Sequence, residues 1–298
     1  MARDTQFRST TQKITMAKQP LVKRMQSSIK KYGRGYYRAT FLFPRKIREA
    51  TWAYYRFVRV PDEIVDSGES IDPTAGLSAW VSAWTAVLHG ENEAPDASLI
   101  TFRQVMQEYK IPTEYSFDFL KSMEQDLTVS RYRTYVDLKQ YMYGSAVVVG
   151  YTMSHIIGFQ DGALPYARAL AEAFQMTNFL RDIKEDYNRR GRIYLPVEDM
   201  VRYAVTESHI REERVDAAWR ALMQFEIART RALYETGVAG IRYLHPQGRR
   251  AVYAAALIYK QILDTIEKNE YDVFTCRAIV SPFQKTVLLL KALCKRNL

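Results

Sequence analysis

Apolar residues recur at three- and four-residue spacing along nearly the whole chain, the period of helices that pack through one face. After Pro44, Ile47, Ala50, Thr51, Tyr54, Tyr55 and Val58 share one side, and the spacing predicts a helix to about Asp66. Pro73 opens a second run to about His89, and Pro95 and Pro112 bound shorter helices. Residues 134–158 are apolar almost all round, as a central helix would be, and Gly144, Ser145, Ala146 and Gly150 leave room for a close neighbour. Pro165 starts a helix to about Arg189, stopped by Gly191 and Pro196. One long amphipathic helix is predicted over 207–240, ended by Gly237 and Gly240; Pro246 begins another, to about Glu270, and Pro282 the last. No alternating run competes as a strand, and there is no linker or fixed-period repeat. The pattern predicts one all-α domain, a bundle of long helices.

Composition narrows the class. Of 298 residues, 47% are hydrophobic and 26% charged, which excludes a disordered or low-complexity chain. Two cysteines, Cys276 and Cys294, and four histidines exclude a disulfide scaffold and leave no paired cluster for a transition metal. No apolar run reaches membrane-spanning length and the N-terminus lacks signal-peptide order, so a reduced, cytoplasmic, soluble protein is expected. The net charge of +10 is uneven. Residues 1–38 carry ten bases against one acid, and 285–298 four bases and no acid, leaving a slightly acidic body. A basic arm over residues 1–30 thus precedes a helical domain over 31–298. The basic ends suit either plain solvation or contact with an anionic surface, and the tail sets Val287, Leu290 and Cys294 beside lysines, an arrangement that predicts peripheral membrane contact. No nucleic-acid signature accompanies the charge.

Two aspartate pairs carry the candidate chemistry: Asp62/Asp66 in V-P-D-E-I-V-D and Asp182/Asp186 in R-D-I-K-E-D. Fifteen aspartates yield about one such spacing by chance, so context decides. Residues four apart on a helix are neighbours, and like charges there repel unless a cation sits between them. Oxygen donors without imidazole or thiolate suit a hard ion such as Mg2+. Gln175, Asn178, Asp182 and Asp186 form one helical face about 16 Å long. A solvated face would explain such a stripe, but glutamine and asparagine at its start argue for a site. Arg59 and Arg181 beside the pairs are either diphosphate clamps or charge-balancing partners.

The segments Y-Y-R-F-V-R-V-P-D-E-I-V-D (54–66), Y-M-Y-G-S-A-V-V-V-G (141–150) and Q-M-T-N-F-L-R-D-I-K-E-D-Y-N-R-R-G-R-I-Y-L-P (175–196) together resemble the squalene/phytoene synthase family, from about Lys31 to Lys285. The likeness is strongest to bacterial or archaeal phytoene synthases, through Y-M-x-G-S-A and R-G-R-I-Y-L-P. The resemblance implies a single-domain isoprenoid synthase bundle with a central cavity. It implies head-to-head condensation of two geranylgeranyl diphosphates to phytoene through a cyclopropyl (prephytoene) diphosphate, the first step of carotenoid synthesis. It assigns Mg2+, with Mn2+ as a substitute, to Asp62, Asp66, Asn178, Asp182 and Asp186; NADPH is not expected. It assigns substrate contact to Arg59, Gln175 and Arg181, and aromatic contacts near the reacting carbons to Tyr55, Tyr141 and Tyr259. Tyr32, Gly33, Arg34 and Gly35 align with a diphosphate-binding loop.

Allylic cations need a dry aromatic chamber, for which Tyr141, Tyr143, Phe174, Phe179 and Trp52 are candidates, each also suited to plain core. Three departures from the family pattern involve four positions. Glu63 stands where many relatives have aspartate, Tyr32 and Gly35 replace histidine and serine in the loop, and Thr40 stands where C30-forming relatives tend to be bulky. A smaller Thr40 favours the longer substrate. The alternatives are dehydrosqualene or squalene synthesis from farnesyl diphosphate, a cyclising terpene synthase, a basic helical nucleic-acid binder, and a non-catalytic assembly factor of the same family. A monomer or a homodimer is expected.

Overall fold

The computed structural model of the chain describes residues 39–66 and 72–295, and among these every regular element is helical, with two isolated strand-like bridges, Arg131–Ile193 and Phe159–Leu244. The arm over 1–30, the Tyr32–Gly35 loop and the last three residues of the basic tail lie outside the described residues. In chain order the helices are α1 (Arg45–Asp66), α2 (Pro73–Leu88), α3 (Ala97–Tyr109), α4 (Glu114–Asp126), α5 (Tyr135–Met142) and α6 (Val148–Ile157). They continue as α7 (Leu164–Arg190), α8 (Val197–Arg202), α9 (Glu207–Arg211), α10 (Ala217–Ala239), α11 (Pro246–Lys268) and α12 (Pro282–Cys294). None is long and apolar enough to cross a membrane.

Short polar side chains set the helix starts. Asp72, Asp96 and Asp216 accept from the backbone N–H groups of Ala75, Ser98 and Trp219, filling donors that the first turn leaves unbonded. Ser281 and Gln284 form a reciprocal capping box at α12, behind Pro282 in the first turn. α7 stops at Gly191, whose φ of 62° is a left-handed conformation that glycine adopts without a Cβ clash; its N–H reaches back to Tyr187 O at 2.8 Å. Pro61 lies inside α1, so one intrahelical donor is missing immediately before Asp62.

Two expectations need correction. The span 134–158 is not one regular helix, because Tyr143–Val147 forms a π turn between α5 and α6. Its extra residue per turn rotates α6 relative to α5. Gly144 then meets α4, while Ser145, Ala146 and Val149 face the interior cavity. The long helix predicted over 207–240 is broken into α9 and α10. Glu213 between them has φ 54°, which a right-handed helix excludes, and Asp216 caps the new start at Trp219.

The core divides into three clusters around that cavity. Phe57, Trp84 and Phe102 form a buried aromatic knot joining α1, α2 and α3, with Phe57 centred 4.5 Å from Phe102 and 4.9 Å from Trp84. Leu180, Trp219, Leu222 and Leu263 bind α7 to α10 and α11. Tyr132, Tyr141, Phe179 and Tyr194 make the third, with Phe179 stacked on Tyr194 at 4.0 Å. Such offset ring pairs each contribute about 0.5–1.5 kcal/mol beyond area burial.

The approach of the π turn to α4 is checkable. A Cβ on Gly144 would stand 2.4 Å from Asp118 O and 2.8 Å from Ser122 Cβ, so Gly144→Ala is expected to cost about 1–3 kcal/mol. An unchanged melting temperature would refute this packing.

Candidate active site

Two long helices deliver most of the candidate residues. On α1, Tyr55, Arg59, Asp62 and Asp66 lie on one face; on α7, Gln175, Asn178, Asp182 and Asp186 do the same. Both faces line one cavity of about 940 Å³, joined by Tyr141 from α5, Arg181 from α7 and Tyr259 from α11. The candidate metal-binding and substrate-contacting residues within the described segments therefore meet in one place. The cavity continues into an apolar end that includes Phe43, Met153, Ile157, Ile241 and Leu244.

The two aspartate pairs approach within the width of one guanidinium. Arg190 Nη1 donates to Asp186 Oδ1 at 2.9 Å, and its Nε lies 2.9 Å from Asp66 Oδ1. Arg59 pairs with Asp62, and with Glu63 at 3.2 Å. Arg181 pairs with Asp182, its Nε at 2.8 Å from Oδ1. Arg277, from the segment after α11, donates to the same Asp182 oxygen at 2.7 Å.

Burial makes these charges costly and explains their pairing. Loss of bulk water, with Asp66 next to it, pushes the Asp62 carboxyl up to about 6 against the pull of Arg59. Asp186 is pushed to about 7 by burial and by Asp182. Asp126, at the end of α4, is raised to about 6 by burial despite Arg192 and the hydroxyl of Tyr141. Burial also drives the Tyr141 phenol well above its ordinary value, so it stays protonated and donates to Asp126 Oδ2 at 2.8 Å. Tyr55 moves to about 12 for the same first reason. Asn178 Oδ1 is buried, and among the described residues no donor reaches it.

Sequence reasoning missed part of this site. Arg192 and Tyr194 stood within the recognised R-G-R-I-Y-L-P segment without a separate role. In the fold Arg192 donates to Asp66 Oδ1 at 3.0 Å and to Asp126 O at 2.6 Å, and Tyr194 donates to Asp126 Oδ1 at 3.2 Å. Arg277 and Asp126 carry no local spacing signal, since neither has an acidic or amide partner at the four-residue spacing that marks the aspartate pairs. Of the five aromatic lining candidates, Tyr141, Phe174 and Phe179 reach the cavity. Trp52 instead turns its indole N–H to Thr40 Oγ1 at 3.2 Å, and Tyr143, opening the π turn, faces outward beside Gln140 and Arg168. Thr40 is likewise turned to Trp52, while Ala39 and Phe43 line the cavity next to it.

An apolar chamber with an arginine- and carboxylate-rich mouth fits a ligand with an anionic head and a hydrocarbon tail. The chain matches the squalene/phytoene synthase family over residues 29–284. It is 35% identical to the phytoene synthase of Arthrospira platensis over 274 residues, 87% of each chain. It is 34% identical to the 15-cis-phytoene synthase of Synechococcus elongatus, covering 89% of this chain and 90% of that one. Among solved structures, a dehydrosqualene synthase in complex with a ligand superposes with a TM-score of 0.85 at 28% identity, over 91% of this chain and 94% of that one. The squalene synthase HpnC from Alicyclobacillus acidocaldarius shares the fold, with a TM-score of 0.76 at 24% identity over 85% and 94% of the two chains.

The raised carboxyls have a measurable consequence. Their folded values exceed the ordinary carboxyl value of about 4, so the native state holds protons that the unfolded chain releases. In EDTA, stability is expected to be highest near pH 4 in this respect and to decline as pH rises to about 7. Urea midpoints across that range test it, and Asp186→Asn should flatten the decline; a profile unaltered by Asp186→Asn would contradict it.

Proposed function

The chain belongs to the squalene/phytoene synthase family of prenyltransferase-type enzymes, with the all-α isoprenoid synthase fold, and from that premise we propose that it condenses two geranylgeranyl diphosphates head to head into phytoene. The observation that carries this reading is the convergence of Asp62, Asp66, Asp182 and Asp186 at the mouth of an apolar cavity. The similarity to phytoene synthases supports the C40 substrate, and the small Ala39 in the cavity wall is compatible with the longer chain. The dehydrosqualene synthase likeness supports the second reading, the same reaction on farnesyl diphosphate.

The residues fit a hard divalent cation. Asp62, Asp66, Asp182 and Asp186 bring carboxylates to the cavity wall and Asn178 an amide, and among the described residues no donor reaches the buried Asn178 Oδ1. Among the described residues, no three acidic, histidine or cysteine side chains already converge on one point, because arginines stand against the carboxylates. When bound there, Mg2+ would neutralise diphosphate charge as the leaving group departs.

The chain's own groups do the rest. Arg59, Arg181 and Arg277 place positive charge where the diphosphates sit and where charge develops on ionisation. Gln175 holds the substrate head beside them. Tyr55, Tyr141 and Tyr259 bring aromatic rings to the wall beside the allylic cation and exclude water from it. Attack by the second substrate's double bond, with loss of a proton from that substrate's C1 as the three-membered ring closes, gives the cyclopropylcarbinyl diphosphate; this expels its own diphosphate in turn, rearranges and loses a second proton to leave the central double bond. The Tyr32–Gly35 segment is assigned to diphosphate binding by resemblance.

The product is an insoluble hydrocarbon, and α12 offers a route to a bilayer. Phe283, Val287 and Leu290 are exposed on it, with Lys285, Lys291 and Lys295 close by and no acid after Asp272. Co-sedimentation with anionic vesicles is expected at low salt and should weaken as salt rises; equal binding to neutral vesicles would argue against it.

Incubation with geranylgeranyl diphosphate and Mg2+ should yield phytoene without NADPH. Preferred turnover of farnesyl diphosphate would overturn the C40 assignment. Asp62→Asn and Asp182→Asn are each expected to lower kcat about 100-fold or more, and full activity in either would overturn the site.

A further inference from the structure

The proposed metal reading of the aspartate pairs leaves Arg190 without a role, although it touches both. Arg190 closes α7 beside the left-handed Gly191. Its Nη1 is well bonded to Asp186 Oδ1 at 2.9 Å, but its Nε, 2.9 Å from Asp66 Oδ1, is not aimed at any acceptor. Its ion-pair partners among the described residues are those two carboxylates. Arg192 differs. It bonds the same Asp66 oxygen at 3.0 Å, but is also buried, tied to Asp126 O at 2.6 Å and within 3.7 Å of the Asp126 carboxylate. Arg192 is thus fixed from behind, whereas Arg190 is held only by the oxygens it bridges.

We propose that Arg190 is an internal cation that holds the two aspartate pairs together and competes with the divalent ion for them, yielding its place as the ion enters. The inference rests on the metal reading given above. Mg2+ draws its oxygens in to about 2.0–2.1 Å, and a guanidinium already bridging Asp66 Oδ1 and Asp186 Oδ1 repels a second cation entering between them, so each cation weakens the hold of the other. Arg190 already lines the cavity in which a diphosphate would receive it.

The test compares full-length wild type with Arg190→Gln, Arg190→Lys and Arg189→Gln. Arg189 is the control: it pairs with Glu185 at 3.0 Å and its side chain is 68% exposed. Free Mn2+ is followed by electron paramagnetic resonance without substrate, and thermal unfolding is recorded in EDTA and in Mn2+. Arg190→Gln is expected to bind Mn2+ about tenfold tighter, to melt lower in EDTA, and to gain more from Mn2+ than wild type. Arg190→Lys, which keeps the charge, and Arg189→Gln should stay within about threefold of wild type. Arg190→Gln binding no tighter than wild type, or equal tightening in Arg189→Gln, would overturn the inference alone. Wild type taking up no Mn2+ even with inorganic diphosphate would overturn the metal reading beneath it.

Discussion

Bringing like charges together out of bulk water is the constraint on which the rest of the structure depends. Asp62, Asp66, Asp182 and Asp186 come from helices more than a hundred residues apart, yet face one cavity. Carboxylates so placed must protonate, pair or hold a cation. Two of these responses are visible: Asp62 and Asp186 are pushed towards neutrality, and Arg59, Arg181, Arg190, Arg192 and Arg277 stand against the acids. The same balance that makes the site costly to fold makes it receptive to a cation–diphosphate head, which brings its own opposite charges.

Apolar architecture supplies the other half. The aromatic knot of Phe57, Trp84 and Phe102 anchors α1 from behind, so its acidic face is presented rather than buried against a neighbour. Trp219, Leu222 and Leu263 do the same for α7. The π turn after α5 decides which side of the central segment meets the cavity, and only a glycine at 144 permits the approach to α4 that this requires. Asp126 ties the assembly together by accepting from Tyr141 and Tyr194 while Arg192 links it to Asp66, so an aromatic wall and a charged mouth share one buried hub.

Much of this was legible in the linear chain because it depends on short-range spacing. Helical period and capping residues determined where most helices begin, since both act within one turn: Asp72, Asp96 and Ser281 bond backbone groups two or three residues away. The stripe of Gln175, Asn178, Asp182 and Asp186 was readable because a helix repeats faithfully over eleven residues. The break between α9 and α10 was not, because it turns on the backbone angle of Glu213 rather than on a proline or glycine.

The sequence by itself determined an all-helical chain, two acidic pairs at helical spacing and the arginines next to them, because those features are set by local geometry and side-chain chemistry. Only the tertiary structure decided that Arg277 shares Asp182 with Arg181, that Asp126 and Arg192 join the site, and that Trp52 and Tyr143 turn away from it. Those outcomes depend on how helices distant in sequence are rotated against one another, and that rotation is fixed by packing across the whole core rather than by any residue's neighbours in the chain.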